Sequence, residues 1–250
     1  MNRKIYFLRF IIIFSFLLIW EILVRVKILD FFYISSPIKI SKQLFTWLSS
    51  SYIYSHLFVT IMEAFFGFLF GLVLGIFLGF LFALNKTIDQ LFNPFFTILN
   101  SLPRIAFAPI IILWFGLGFF SKIIIVLSLT FFVIFFNTYN GVKDVNKDII
   151  NNARILGAKN KDMFIHIYFP SAFAWIFTSL RTSVGFAFIG AIVGEYIGAS
   201  KGIGFVIENS QARFDSTAVL SGLILLTIIV AFIDFFLNKI EKHFLKWRGV

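Results

Sequence analysis

The sequence predicts an all-α, polytopic membrane protein with six transmembrane helices and a short polar helical segment between the fourth and fifth. Three observations carry this. Hydrophobic residues make up 60% of the 250-residue chain, and its mean hydropathy is +0.95. Charged residues make up only 14%, against roughly 25% in a soluble globular chain. Several apolar runs reach the ~20 residues a helix needs to cross a bilayer, and polar stretches bearing Lys and Arg separate them. The 38 phenylalanines point to no function of their own. Cysteine is absent, which excludes disulfides, thiolate metal sites and a cysteine nucleophile. The net charge of +10 does not point to nucleic acid. The basic residues lie mostly in loops and tails between apolar spans, where they set topology.

Taken in order, the chain opens on a basic segment (Arg3, Lys4, Arg9) and an apolar run from Phe10 to Val24 that Glu21 interrupts. A secretory signal opens the same way, but no small-residue cleavage site follows, so this run reads as the first span. Residues 27–55 read as a mixed external loop, with Ser35-Ser36-Pro37 and a Trp47 suited to a membrane interface. Residues 1–56 thus form an N-terminal helix and loop, and 57–250 a core of five spans. The second span runs from about Leu57 to Leu84. Its Gly67, Gly71, Gly75 and Gly79 are four apart and would make one bare stripe for close helix packing. A polar turn, Asn85 to Gln90, leads to the third span, about Leu91 to Gly116, which Pro94, Pro103 and Pro109 interrupt. Proline removes a backbone donor and kinks a helix. Broken backbone is tolerated in a membrane only inside protein or beside a wet cavity. Arg104, between two of those prolines, either faces such a cavity or snorkels to the cytoplasmic interface. Pro103, Arg104 and Pro109 are therefore pathway candidates.

The fourth span is about Lys122 to Tyr139. The polar stretch 143–170 follows, with five Lys/Arg and three Asp. Ile149, Ala153 and Leu156 share one face of a short helix. Gly157 would end that helix, and a second short helix can start beyond it, so the helical part covers about 148–170. Periodicity alone leaves two readings: an amphipathic helix lying on the membrane surface, or a docking helix for a soluble partner. The fifth span, about Ala172 to Ala199, carries Arg181, Glu195 and a second glycine row at Gly190, Gly194 and Gly198. Glu195 joins the pathway candidates. A loop over 200–216 leads to the sixth span, about Thr217 to Leu237, and a basic tail (Lys239, Lys242, Lys246, Arg248). With both termini in the cytoplasm, cytoplasmic segments hold thirteen Lys/Arg and external segments with their borders seven. That excess is the one expected of the cytoplasmic side, and it puts 143–170 there too.

No G-x-x-x-x-G-K-[ST] phosphate loop is present, so the chain is not expected to hydrolyse ATP. His56, His166 and His243 are far apart, and neither a metal-ligand nor a Ser/His/Asp pattern stands out. Catalytic, cofactor and metal residues are therefore expected to be none. Glu21, Glu63, Glu195 and Asp234 lie in or near spans and would be needed for a proton or sodium relay. They are scattered, and structural pairing or an interfacial position is the expectation for each. Glu63 is the one furthest inside its span.

Four stretches together carry a family resemblance: NSLPRIAFAPIIILWFGLG (100–118), FNTYNGVKDV (136–145), ARILGA (153–158) with Pro170 beyond it, and VGEYIGASKGIGFVI (193–207). Over roughly residues 57–248 the chain resembles the membrane permease subunits of ATP-binding-cassette importers, in the group for nitrate, sulfonate, taurine and related substrates. The departures are local. The Glu-Ala-Ala of the family's cytoplasmic signature reads Asn151, Asn152, Ala153 here, its closing Leu-Pro reads Phe169-Pro170, and Glu63 stands where the family often has Arg.

The resemblance implies a mechanism. The segment bearing Ala153, Arg154, Leu156, Gly157, Ala158 and Pro170 would be the cytoplasmic coupling helix that fits a cleft on a separate ATPase, which alone binds ATP. A second permease copy is implied, a homodimer being the simpler form, together with an external solute-binding protein and membrane lipid. The place would be the inner (plasma) membrane of a bacterium. The cargo would be a sulfonate-, taurine- or nitrate-like anion, or else a heterocycle such as a pyrimidine thiamine precursor. An ion-coupled secondary transporter and a membrane scaffold for a cytoplasmic enzyme are the competing classes.

Overall fold

Apolar runs in a bilayer must satisfy their backbone groups internally, and a helix does so within one segment. The computed structural model describes residues 3–244; Lys246 and Arg248 of the basic tail, and the side chains of Arg3, Lys242 and His243, lie outside the described residues. The described elements are all helical. They are α1 (Arg3–Arg25), α2 (Pro37–Ser49), α3 (Tyr52–Leu84), α4 (Lys86–Ser101), a 3-10 turn (Arg104–Phe107), α5 (Ala108–Phe115), α6 (Phe119–Lys143), α7 (Lys147–Ile155), α8 (Asn160–Met163), a π turn (Phe164–Tyr168), α9 (Phe169–Gly198), α10 (Ile203–Ala212) and α11 (Ser216–Phe244). Five stretches are long and apolar enough to cross a membrane: Lys4–Arg25, Tyr52–Leu84, Phe119–Lys143, Asn160–Gly198 and Ser216–Glu241. α4 together with the 3-10 turn and α5 passes the same test with an 84° bend, giving up to six.

The observed elements differ from the sequence reading in five places, one being residues 86–90, read as a turn, which begin α4 under an Asn85 cap. Residues 37–49, read as loop, form α2: Ser36 caps it by accepting from the Lys39 N–H, and Pro37 supplies its preset first turn. Trp47, read as an interface residue, is buried. Residues 203–212, also read as loop, form α10. Pro94 does not interrupt its span; it lies inside α4, and the break comes at Pro103. Finally, the fifth span does not start near Ala172, because the helical run is continuous from Asn160. The π turn widens the helix just before Pro170, relieving the pressure its ring would put on the carbonyl four residues back.

The chain divides into two compact units, Met1–Val59 with Ser200–Ile229, and Thr60–Ala199 with Val230–Val250. In the first, the Ser35 and Thr217 hydroxyls are 2.8 Å apart, and Ser216 donates to the Phe31 carbonyl. His56 Nδ1 accepts from the Gly202 N–H at 3.1 Å, and its ring stacks on Phe205. In the second unit, α6 lies between α3 and α9. A Cβ at Gly67, Gly71, Gly75 or Gly79 would meet Val126, Thr130, Ile134 or Thr138 respectively, at 2.1–3.0 Å. The partners are also four apart and run in the same direction, so α3 and α6 are parallel and in register. On α9, a Cβ at Gly190 would meet Val126, and one at Gly194 would meet Lys122. There the order reverses, so α9 is antiparallel to α6. Gly198 faces Leu117. Close backbone approach of this kind supplies dispersion contact that lipid cannot supply between helices.

Candidate functional site

Three features of the second unit stand out: an exposed helix between two spans, a break in a span, and ion pairs within the bundle. The exposed helix is α7. Asn146 caps it by accepting from the Asp148 N–H, and Asp148 and Arg154 complement the helix dipole at its two ends. Beyond Leu156 the chain turns at Gly157, whose φ is +87°. The Gly157 N–H bonds the Arg154 carbonyl and the Ala158 N–H the Ala153 carbonyl, both at 3.0 Å. This is a Schellman closure, which needs a left-handed residue at the position Gly157 holds. Ala153 and Ala158 are half-buried, and Arg154 is exposed. α7 has no buried residue, and Ile155 and Leu156 at its end are 82% and 86% exposed.

The two spans that bracket α7 are fixed to each other. A Cβ at Gly141 would lie 2.8 Å from the Ala172 Cα, and Ser171 donates to the Gly141 carbonyl. Val142, Ala172 and Ile176 are buried together there with Phe80 of α3. Lys143 pairs with Asp89 of α4 at 2.8 Å, and Tyr139 donates to the same carboxylate. Any force on α7 therefore reaches α3, α4, α6 and α9 through packed contacts.

At the break, Pro103 precedes the 3-10 turn and Pro109 falls in the first turn of α5. Arg104 folds back on the end of α4. Its Nη2 donates to the Asn100 carbonyl at 2.8 Å and to Asn100 Oδ1, and its Nη1 to the Leu129 carbonyl at 3.4 Å. The guanidinium carbon lies 4.6 Å from the centre of the Phe132 ring. Arg104 thus satisfies the Asn100 carbonyl that the end of α4 leaves open, while its Nε finds no partner among the described residues. It lines a cavity of about 250 Å³ with Leu99, Phe107, Ser128 and Phe132.

Glu195 is 1% exposed and accepts from Thr60 at 2.6 Å. Glu63, also buried, lies within hydrogen-bonding reach of it. Lys122 is buried at the start of α6, donates to the Leu117 and Gly198 carbonyls, and acts electrostatically on both carboxylates. Sequence reasoning had placed Lys122 at an external border. Its position one residue before an apolar run gave no sign that its ammonium turns inward. The other span acids are also paired: Glu21 with Arg25 at 2.8 Å, and Asp234 with Arg181 at 2.5 and 2.8 Å. The Arg181–Asp234 pair joins two residues far apart in the chain, and residue spacing could not have matched them.

With this geometry in hand, comparison with known proteins is informative. Residues 71–246 match the family described as the binding-protein-dependent transport system inner membrane component. The protein named as aliphatic sulfonates transport permease SsuC of Bacillus subtilis (strain 168) is 29% identical over 92% of this chain and 84% of its own length. The formylaminopyrimidine transport permease ThiX of Halalkalibacterium halodurans is 33% identical over 93% of this chain and 92% of its own. A solved inward-facing structure of the MetNI methionine ABC transporter superposes with a TM-score of 0.67 at 19% identity, covering 76% of this chain and 95% of that one. At that identity the likeness speaks for the fold alone. The spans, the broken third segment, the helix between two spans and the length of the match agree: the chain belongs to the binding-protein-dependent transport system inner membrane component family and is an ATP-binding-cassette importer permease, a transport subunit distinct from the ATPase.

Proposed function

We propose that two copies of the chain form the transmembrane pathway, that ATPase subunits seat on α7, and that an external binding protein delivers a small solute near residues 200–213. α7 and both termini are cytoplasmic in this reading, and ATP is bound by the ATPase. The observation that carries it is the apolar tip of α7. Ile155 and Leu156 project from a polar helix that has no fully buried residue, and apolar surface of this kind gains by entering a cleft. Because α6 and α9 are locked together on either side of α7, closure of the ATPase pair would move them as one body. Leu156→Asp changes a side chain that is almost wholly in water. It should leave the fold intact and abolish co-purification of the ATPase; equal recovery of ATPase with parent and variant would sink docking at α7.

The cargo we favour is a small sulfonate-like anion, with taurine and nitrate in the same class. Its support is the place of Arg104 in the wall of the cavity at the break, together with the similarity to SsuC. A second reading, a pyrimidine thiamine precursor, rests on the similarity to ThiX and on the use of Arg104 donors within the chain. A thermal-shift panel on the cognate binding protein separates the two. Stabilisation by taurine, an alkanesulfonate or nitrate supports the anion, whereas stabilisation by pyrimidines alone removes it and leaves the importer mechanism untouched.

A further inference from the structure

In the first unit, the end of α1 and the first turns of α2 border a cavity of about 680 Å³, a volume within the roughly 300–1,000 Å³ of small-ligand sites. Four cations line it (Arg25, Lys27, Lys39 and Lys42) and two acids, Glu21 and Asp30. The acids are committed within the chain. Glu21 accepts from Arg25 Nε at 2.8 Å and from the Ile38 N–H at 3.2 Å. Asp30 accepts from the Phe32 N–H at 2.9 Å. The cations are freer. The Lys39 ammonium lies 3.5 Å from the centre of the Phe31 ring. The ammonium groups of Lys27 and Lys42 donate to nothing among the described residues. The cavity therefore carries an excess of positive charge with donors to spare, which suits an anion.

Lys27 supplies a second, independent sign. α1 closes with the Lys27 N–H on the Val24 carbonyl and the Ile28 N–H on the Leu23 carbonyl. This closure turns on a left-handed residue, a place that suits glycine. Lys27 holds it, at φ +61°. A side chain is strained there, and the strain keeps an ammonium at the cavity. Strain of this kind gathers at sites that clamp a ligand.

The surroundings say which anion. Arg25 ends the first span, so the cavity lies at the depth where headgroups begin. Phe14, Leu18, Glu21 and Arg25 follow one another at helical spacing, so one stripe of α1 runs up to the cavity. Phe14 and Leu18 are exposed and apolar. A free phosphate would use the cations alone, whereas a phospholipid sets its phosphate among them and its chains along the stripe. A zwitterionic headgroup brings an ammonium against the excess of cations; an anionic headgroup does not.

We propose that this cavity binds the phosphate of an anionic phospholipid of the external leaflet, with Lys27 and Lys42 donating to its oxygens. The external side comes from the importer reading above; the binding itself does not depend on it.

The test uses the complete importer in detergent, freed of lipid, and follows its thermal midpoint as lipid is returned. Dioleoyl phosphatidylglycerol should raise the midpoint, and dioleoyl phosphatidylethanolamine or inorganic phosphate at the same concentration should not. Other basic surfaces also attract an anionic lipid, so variants isolate the site. Lys27→Gly combined with Lys42→Ala should raise the phosphatidylglycerol concentration needed for half the shift about tenfold. Lys27→Gly alone, without lipid, should be at least as stable as the parent, because glycine relieves the left-handed strain; this separates lost binding from lost folding. Lys42→Arg keeps the charge and should keep the parental response. An equal response in the parent and the double variant would overturn the site. A shift with inorganic phosphate equal to that with the lipid would make it a site for free phosphate and overturn the lipid. A double variant that responds to lipid as the parent does but no longer binds the external binding protein would make the cavity a protein-docking surface, and the proposal would fall.

Discussion

The glycines of α3 and the glycine after α7 are the same residue under opposite constraints. Gly67, Gly71, Gly75 and Gly79 sit in helical backbone that any residue could adopt, but α6 fills the space a side chain would need. Gly157 has nothing within 4 Å of a Cβ, but its φ of +87° belongs to the left-handed region. The first set is glycine for volume and the second for conformation. One region is a packed block; the other is a projecting helix whose shape is set by its own backbone. A substitution in the block should therefore act on stability, and one at α7 on partnership.

The largest effect is expected inside the block. Lys122→Met removes the ammonium from the buried cluster it forms with the Leu117 and Gly198 carbonyls and should cost ~2–5 kcal/mol, because two buried acceptors lose a charged donor. An unchanged thermal midpoint in detergent would refute the cluster. Gly71→Val drives a branched side chain toward Thr130, whose hydroxyl a Cβ would meet at 2.1 Å. A loss of ~1–3 kcal/mol is expected, with bound ATPase lost only in proportion to unfolding. Gly157→Val should cost about 1–2 kcal/mol from left-handed strain yet lose the ATPase almost completely, since the exit from α7 would change. Gly157→Asn sharpens the contrast. Asparagine tolerates the left-handed region, so this variant should retain most ATPase where Gly157→Val does not; equal loss in both would mean that the contact needs the bare α-carbon rather than the turn. The smallest effect is expected from Arg104→Gln, which keeps a donor for the Asn100 carbonyl. It should leave the thermal midpoint within about 1 kcal/mol and slow the uptake of an anion; unchanged anion uptake would make Arg104 a helix clamp alone.

Much of this was legible in the sequence, and the reasons differ by region. The spans announced themselves by apolar length, and the glycine row of α3 by its step of four. α2 went unread because two lysines and a Ser-Pro pair look like loop. Yet Ser36-Pro37 is a helix start, and Ile40, Leu44 and Trp47 follow at i, i+4 and i+7. α10 was hidden in the same way by Gly202 and Gly204, although Ile203, Val206 and Ile207 mark one buried face. For the candidate site, Gly157 could be placed because left-handed turns favour glycine. The pairing of Arg181 with Asp234 and the bonding of Lys122 to the Gly198 carbonyl could not, since they depend on which faces of distant helices meet. The outward aim of Ile155 and Leu156 runs against what periodicity suggests, because a helix that serves a partner need not cover its own apolar residues.

The matched steps of α3 and α6 have a mechanical consequence. Moving α3 along α6 by one step, about 6 Å, again sets glycine against a side chain at three of the four positions. Spin labels at Phe70 and Phe136 would record such a step as a distance change of that size. Turning α3 about its own axis instead drives Phe66 or Phe68 into a groove shaped for hydrogen. The interface is thus a toothed rail: it has repeating rest positions along its length and a stop against rotation, so α3 and α6 can exchange thrust without exchanging twist.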